Sequence, residues 1–169
     1  MNREELRAAQ APLKEKYLND PASALITLRA SGELGAGVSC SVETGRALVA
    51  AGLHGATGGS GLAVCSGDML LQALVACAGV TLNAVATSLG IVVRSGRLTA
   101  EGDLDFRGTL GVSKEAAVGF REVRLLIDIE TDAAPAEKEK LLELTQRYCV
   151  VFQTLRQSPT LHAFYRSVD

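Results

Sequence analysis

The stretch "LLQALVACAGVTLNAVA", residues 70–86, carries no charged side chain and decides how the rest of the chain is read. A run this apolar invites a membrane assignment, but Gln72, Thr81, Asn83 and the many alanines suit the central helix of a soluble fold better. Ser66 is a plausible N-cap and Gly90 a natural stop, so the helix is expected to run from 66 to about 89. Cys77 lies in its interior. On a helix its neighbours are Ala73, Leu74, Val80 and Thr81, an almost wholly apolar face. Free cysteine often just fills such a space. A reactive cysteine needs more: a nearby cation, a helix N-terminus or a proton acceptor that stabilises the thiolate. Cys77 is too far into the helix for its dipole to help. Asp68, nine residues upstream, points to the opposite face about 13 Å away along the axis and reads as a first-turn dipole partner. Packing residue and nucleophile both remain open, and any activating charge must come from another segment or subunit.

Working outward, residues 2–18 form an amphipathic helix candidate, with Leu6, Ala9, Leu13 and Tyr17 on one stripe and Pro12 as a possible kink. Residues 25–34, 37–43 and 47–53 read as short strands. "HGATGGSG" (54–61) reads as a mobile loop with little side chain to anchor it, bordering the mouth of a pocket expected at Cys77. No Lys-Ser or Lys-Thr follows it, and its spacing fits no dinucleotide fingerprint. "IVVRSGRLTAEGDLDFRGTLG" (91–111) reads as strand, turn, strand. "GFREVRLLIDIETD" (119–132) alternates Val123, Leu125 and Ile127 against Arg124 and Asp128, as a half-buried strand does. Pro135 suits a first helical turn, and that helix runs toward Cys149, with a restart there before Ser158-Pro159. "LHAFYRSV" (161–168) reads as a final strand. The pattern is α+β with a mostly antiparallel sheet and two main helices.

The totals narrow the function classes. The chain has 169 residues, 47% hydrophobic and 21% charged, enough to bury a real core. With 17 basic and 19 acidic residues and no basic cluster, neither nucleic acid nor a membrane is expected as a partner. The charged N-terminus lacks a signal-peptide core, so a cytoplasmic location is expected, where cysteines stay reduced unless catalytic or redox-sensing. Cys40, Cys65, Cys77 and Cys149 include no Cys-x-x-Cys, and His54 and His162 fall at no zinc-ligand spacing. Neither a metal nor a cofactor is expected. Cys40 and Cys65 read as structural, with a third redox thiol as the alternative for Cys65, His54 as exposed or capping, and His162 as a packed or surface residue.

Two segments together carry a family resemblance: "LLQALVACAGV" around Cys77 and "LTQRYCVVFQTL" around Cys149. With the order of elements from about Ala24 to Val168, they resemble the OsmC/Ohr family, the osmotically inducible protein C and organic hydroperoxide resistance proteins. The resemblance implies an OsmC-like domain over 21–169, with residues 1–20 as a helical extension, and an intertwined homodimer with the long helices at its centre. It implies a thiol-dependent peroxidase acting on organic hydroperoxides. Cys77 would be the attacking thiol that becomes a sulfenic acid, Cys149 the resolving thiol that forms a disulfide with it, and a thiol reductant would reset the pair. The alternative is a non-catalytic OsmC-like protein that binds a small apolar ligand or has a stress-related role. Three features depart from the family pattern. Gly67 stands where active members usually carry a glutamate, with Asp68 one place on. The hairpin "SGELGAG" has no arginine, and Cys-Val-Val replaces the common Cys-Pro. Arg29, Arg46 and Asp68 are therefore the candidates for activating the thiolate, with an arginine expected near the Cys77 sulfur.

Overall fold

The structure is a computed structural model that describes residues 3–35, 39–42, 51–59 and 64–165. Helix α1 (Arg3–Asn19) leads through a short 3-10 turn (Pro21–Ala24) into β1 (Leu25–Gly35) and β2 (Ser39–Val42). Then come β3 (Ala51–Gly52), a second 3-10 turn (Gly55–Thr57), β4 (Val64–Cys65) and the long α2 (Ser66–Leu89). β5 (Ser95–Asp105), α3 (Phe106–Thr109), β6 (Glu122–Glu130), α4 (Pro135–Tyr148) and α5 (Val150–Arg156) complete the order. The main sheet is antiparallel throughout, in the order β2-β1-β5-β6, while β3 and β4 form a small parallel pair. The architecture is the α+β one expected from the pattern of elements.

Helix α2 passes tests of length and composition for a membrane span, but half of its most apolar window is buried inside the fold. Leu71, Leu74, Val75 and Ala78 pack with Leu98, Ala100 and Leu104 of β5 and with Phe106. One turn further on, Leu82, Val85 and Ala86 meet Leu141 of α4 in a second cluster that extends to Ile127 and Ile129 of β6. The helix stops at Gly90, whose φ of 71° is left-handed backbone that glycine adopts without a Cβ clash. The amides of Gly90 and Ile91 return to the last turn, the latter to the Ala86 carbonyl at 2.9 Å. α1 is tied into the same core. Tyr17 is almost fully buried there with Leu13 packed nearby, and its hydroxyl donates to the Ala56 carbonyl at 2.7 Å.

Several expectations are corrected. Residues 95–105 form one long strand, not a strand-turn-strand, because Ser95 and Gly96 are already paired with Glu130 and Ile129. The chain then turns into α3, whose start is capped by the Asp105 carboxylate accepting from the Arg107 amide. The N-cap of α2 is Cys65 instead of Ser66, a shift of one residue, with no side-chain cap bond. Residues 158–165 form no strand. A strand needs an edge to pair with, and here Leu161, Phe164 and Tyr165 project into solvent. Gly55–Thr57 is also well anchored: His54 Nδ1 accepts from the Ala56 amide at 3.0 Å, its ring stacks on Phe106, and Thr57 is buried. Residues 60–63, which include the last two residues of that glycine-rich stretch, lie outside the described residues, as do 36–38 and 43–50.

The Tyr17 anchor makes α1 part of the stability of the whole. Tyr17→Phe removes one hydrogen bond and is expected to cost about 0.5–1.5 kcal/mol. Tyr17→Ala also leaves a core cavity and should cost about 3–5 kcal/mol. Urea unfolding of the two variants checks the ranking. A Tyr17→Ala midpoint equal to that of wild type would show that α1 adds nothing to the core.

Candidate active site

The site is built where α2 passes the junction of α4 and α5. That junction is an interruption between two helices. Cys149 ends α4, its amide donating to the Thr145 carbonyl at 2.9 Å, and the same residue N-caps α5. Its backbone is extended, with φ −72° and ψ 108°, so the helix cannot run straight through. A break of this kind strands backbone groups on both sides, and these need partners. The Gln146 carbonyl accepts from the Gln153 side-chain amide at 2.8 Å. The Phe152 amide donates to the Cys149 sulfur at 3.4 Å. The amides of Val150 and Val151 turn toward the Cys77 sulfur and donate to it.

Cys77 is half-buried and packs against the main core, in which Cys149 is fully buried. The two thiols share a hydrogen bond. Their environments push them in opposite directions. For Cys77, burial raises the thiol, but the Val151 amide, the Cys149 side chain, the Val150 amide and the Thr81 hydroxyl together outweigh it. The thiol ends below its ordinary value. For Cys149, burial is the main cause of a rise to about 11. The Phe152 amide and, less, the Val151 amide offset only part of it, and the hydrogen-bond demand and negative charge of Cys77 add to it. The pair is therefore one acceptor sulfur, Cys77, and one sulfur that keeps its proton and donates it, Cys149. A site of this kind can hold a nucleophilic thiolate beside a thiol able to form a disulfide with it.

Asp68 is in the first turn of α2. Burial raises its carboxyl, and the nearby His54 ring offsets part of that rise. Arg29 lies on β1 opposite Glu101 in the backbone register, with its side chain outside the described residues. Arg46 lies outside them altogether, and so does the side chain of Cys40. Cys65 is half-buried at the edge of the core. His162 is exposed, its ring 6.0 Å from that of Phe164. The donors that sequence reading missed are the Val150 and Val151 amides and the Thr81 hydroxyl. Thr81 was visible as a helix neighbour of Cys77. The amides carry no residue signature at all.

A family profile described as OsmC-like protein matches residues 58–163. The fold is similar to that of an OsmC-like hydroperoxide resistance protein from Jannaschia sp. CCS1, with a TM-score of 0.60 and 17% identity over 86% of this chain and 96% of that one. It is also similar to an OsmC-like protein from Mycoplasma pneumoniae, with a TM-score of 0.55 and 15% identity over 79% of this chain and 86% of that one. No curated protein matches the chain in sequence.

The opposed thiols give a pH signature. Iodoacetamide at neutral pH should label Cys77 well before Cys149, read residue by residue by peptide mass spectrometry. Cys149 binds its proton more tightly folded than unfolded. Its contribution to stability is therefore complete below pH 9 and lost as the pH rises toward 11. Cys149→Ser should flatten that alkaline loss. Faster labelling of Cys149 than of Cys77 would reverse the assignment of the two roles.

Proposed function

The chain belongs to the OsmC-like family, and on that premise we propose that it is a thiol-dependent peroxidase that reduces organic hydroperoxides. The observation that carries the reading is the hydrogen-bonded Cys77–Cys149 pair with its opposed thiol acidities. In the proposed reaction the Cys77 thiolate attacks the terminal peroxide oxygen. An S–O bond forms, the O–O bond breaks, and the alkoxide leaves as the alcohol after taking a proton. Cys77 is then a sulfenic acid. The Cys149 sulfur displaces its hydroxyl, which departs as water with the Cys149 proton, and a Cys77–Cys149 disulfide remains. Two electrons and two protons from an external thiol reductant restore the pair. The Jannaschia neighbour is described as a hydroperoxide resistance protein, which agrees with this class of substrate. The domain is read as 21–169 with 1–20 as its extension, and the location as cytoplasmic.

A homodimer is part of the same proposal. Met69, Ala73, Val80 and Ala84 share one stripe of α2, and all four are exposed in the single chain. An exposed apolar stripe on the central helix of the fold is suited to packing on its copy.

Two measurements test the reading. Intact mass spectrometry after one equivalent of cumene hydroperoxide should show wild type losing two hydrogen atoms and Cys149→Ser gaining one oxygen at Cys77. Cys77→Ser should consume no peroxide. Unchanged consumption by Cys77→Ser would make Cys77 a packing residue and end the proposal. Sedimentation at micromolar concentration should find a dimer, and a stable folded monomer would remove that part.

A further inference from the structure

We propose that Gln153 is a positioning residue for Cys149, its side-chain amide holding open the break between α4 and α5 in which that thiol sits. The inference rests on the peroxidase reading, in which Cys149 is the resolving thiol. In an unbroken helix each amide donates to the carbonyl four residues back, so the Gln146 carbonyl would accept from the Val150 amide. The regular bonds stop on one side of the break and resume on the other. The Cys149 amide donates to the Thr145 carbonyl at 2.9 Å, and the Gln153 amide donates to the Cys149 carbonyl at 2.9 Å. Between them, the Gln146 carbonyl accepts from Gln153 Nε2 at 2.8 Å. The side chain of Gln153 thus fills the place on that carbonyl that a helix gives to the Val150 amide. Gln153 grips both sides of Cys149: its own amide is on the Cys149 carbonyl, and its side chain is on the last turn of α4.

The exchange of one donor for another has a chemical consequence. Gln146 and Gln153 are both half-buried, so water replaces a lost bond there only in part. Without Gln153, the natural donor for the Gln146 carbonyl is the Val150 amide. Taking it would carry α4 through the junction and turn Cys149 from its extended backbone, ψ 108°, to a helical one. The Phe152 amide, which now donates to the Cys149 sulfur at 3.4 Å, would then pass to the Tyr148 carbonyl. A disulfide needs Cα atoms about 4.4–6.8 Å apart and Cβ atoms that converge. A helical Cys149 would aim its side chain elsewhere and lose its approach to Cys77, which packs against the same core cluster. Gln153 takes no part in bond making and acts through Cys149 alone.

The test follows the resolving step without peroxide. Reduced full-length protein is mixed with the disulfide of mercaptoethanol. The Cys77 thiolate attacks one of its sulfurs, a mixed disulfide forms and one mercaptoethanol thiolate leaves. The Cys149 sulfur then displaces the second mercaptoethanol, which departs with the Cys149 proton, and the Cys77–Cys149 disulfide remains. Mass spectrometry of acid-quenched samples, intact and as peptides, gives the lifetime of the mixed disulfide at Cys77 whatever the rate at which it forms. Wild type is compared with Gln153→Met, which keeps the length and removes the donor. Gln153→Lys restores an N–H donor beside the C-terminal carbonyls of α4, where a cation is favoured. Gln153→Met should lengthen the lifetime about three- to tenfold, the factor that one ordinary hydrogen bond is worth. Gln153→Lys should return most of it. Should Gln153→Met fail to fold, Gln153→Leu takes its place with the same expectation. Equal lifetimes in wild type and Gln153→Met would overturn the proposal. So would a lysine variant as slow as the methionine one, or a wild type that stops at the mixed disulfide. A longer lifetime in a protein that consumes no cumene hydroperoxide would retain Gln153 as the positioning residue and reject the peroxidase reading separately.

Discussion

The contact between the Cys77 sulfur and the interruption at Cys149 is the constraint on which the local structure turns. A thiolate among apolar side chains is unfavourable unless donors replace the water it has lost. A continuous helix over residues 135–156 would spend the amides of Val150 and Val151 on its own carbonyls. The break at Cys149 releases them. The cost of the break is limited by two local repairs: the Gln153 side chain on the Gln146 carbonyl, and the Cys149 sulfur on the Phe152 amide. Helix α2 must also be held at a fixed height and rotation for its sulfur to meet those amides. The buried row of Leu71, Leu74, Val75 and Ala78 against β5 holds it there.

The asymmetry between the thiols follows from that geometry. Both sulfurs lose hydration, and for each burial is the largest cause acting on it. Cys77 recovers the loss because two amides, a hydroxyl and a thiol converge on it. Cys149 has the Phe152 amide at 3.4 Å, a smaller contribution from the Val151 amide, and a partner that prefers it protonated. One shared hydrogen bond thus lowers one thiol and raises the other, and neither shift can be assigned to one residue alone. Cys149 carries three tasks: it ends α4, caps α5 and donates to Cys77.

Much of the frame was legible in the sequence. The ends of α2, the stop at Gly90, the strand at 122–130 and the restart at Cys149 all follow from periodicity and capping chemistry. The errors have physical causes. Ser95 and Gly96 have turn composition, but their pairing with β6 overrides it. "LHAFYRSV" has strand composition, but composition does not supply an edge to pair with. The anchoring of Gly55–Thr57 depends on Tyr17 and Phe106, which come from distant parts of the chain. The site was legible as two cysteines through the family resemblance. Its donors were not, because a search for activating side chains looks for arginine and glutamate, while backbone amides have no letter in the sequence.

The donor set also shapes how such a site responds to its surroundings. A guanidinium acts over several ångströms, tolerates some displacement and weakens as salt screens it. Amides and a hydroxyl are neutral and short-ranged, so they are largely indifferent to ionic strength but fail steeply with misplacement. Among the described residues, the acidity of Cys77 is therefore tied to the seat of α5. α5 has only seven residues, and Val150 and Leu155 on it are exposed. A helix so short is held mainly by its cap and its half-buried Val151 and Phe152. The residue that caps it is the one that the proposed reaction would draw into a disulfide. Oxidation would therefore weaken the seating of the amides that made Cys77 acidic, and reduction would restore both together.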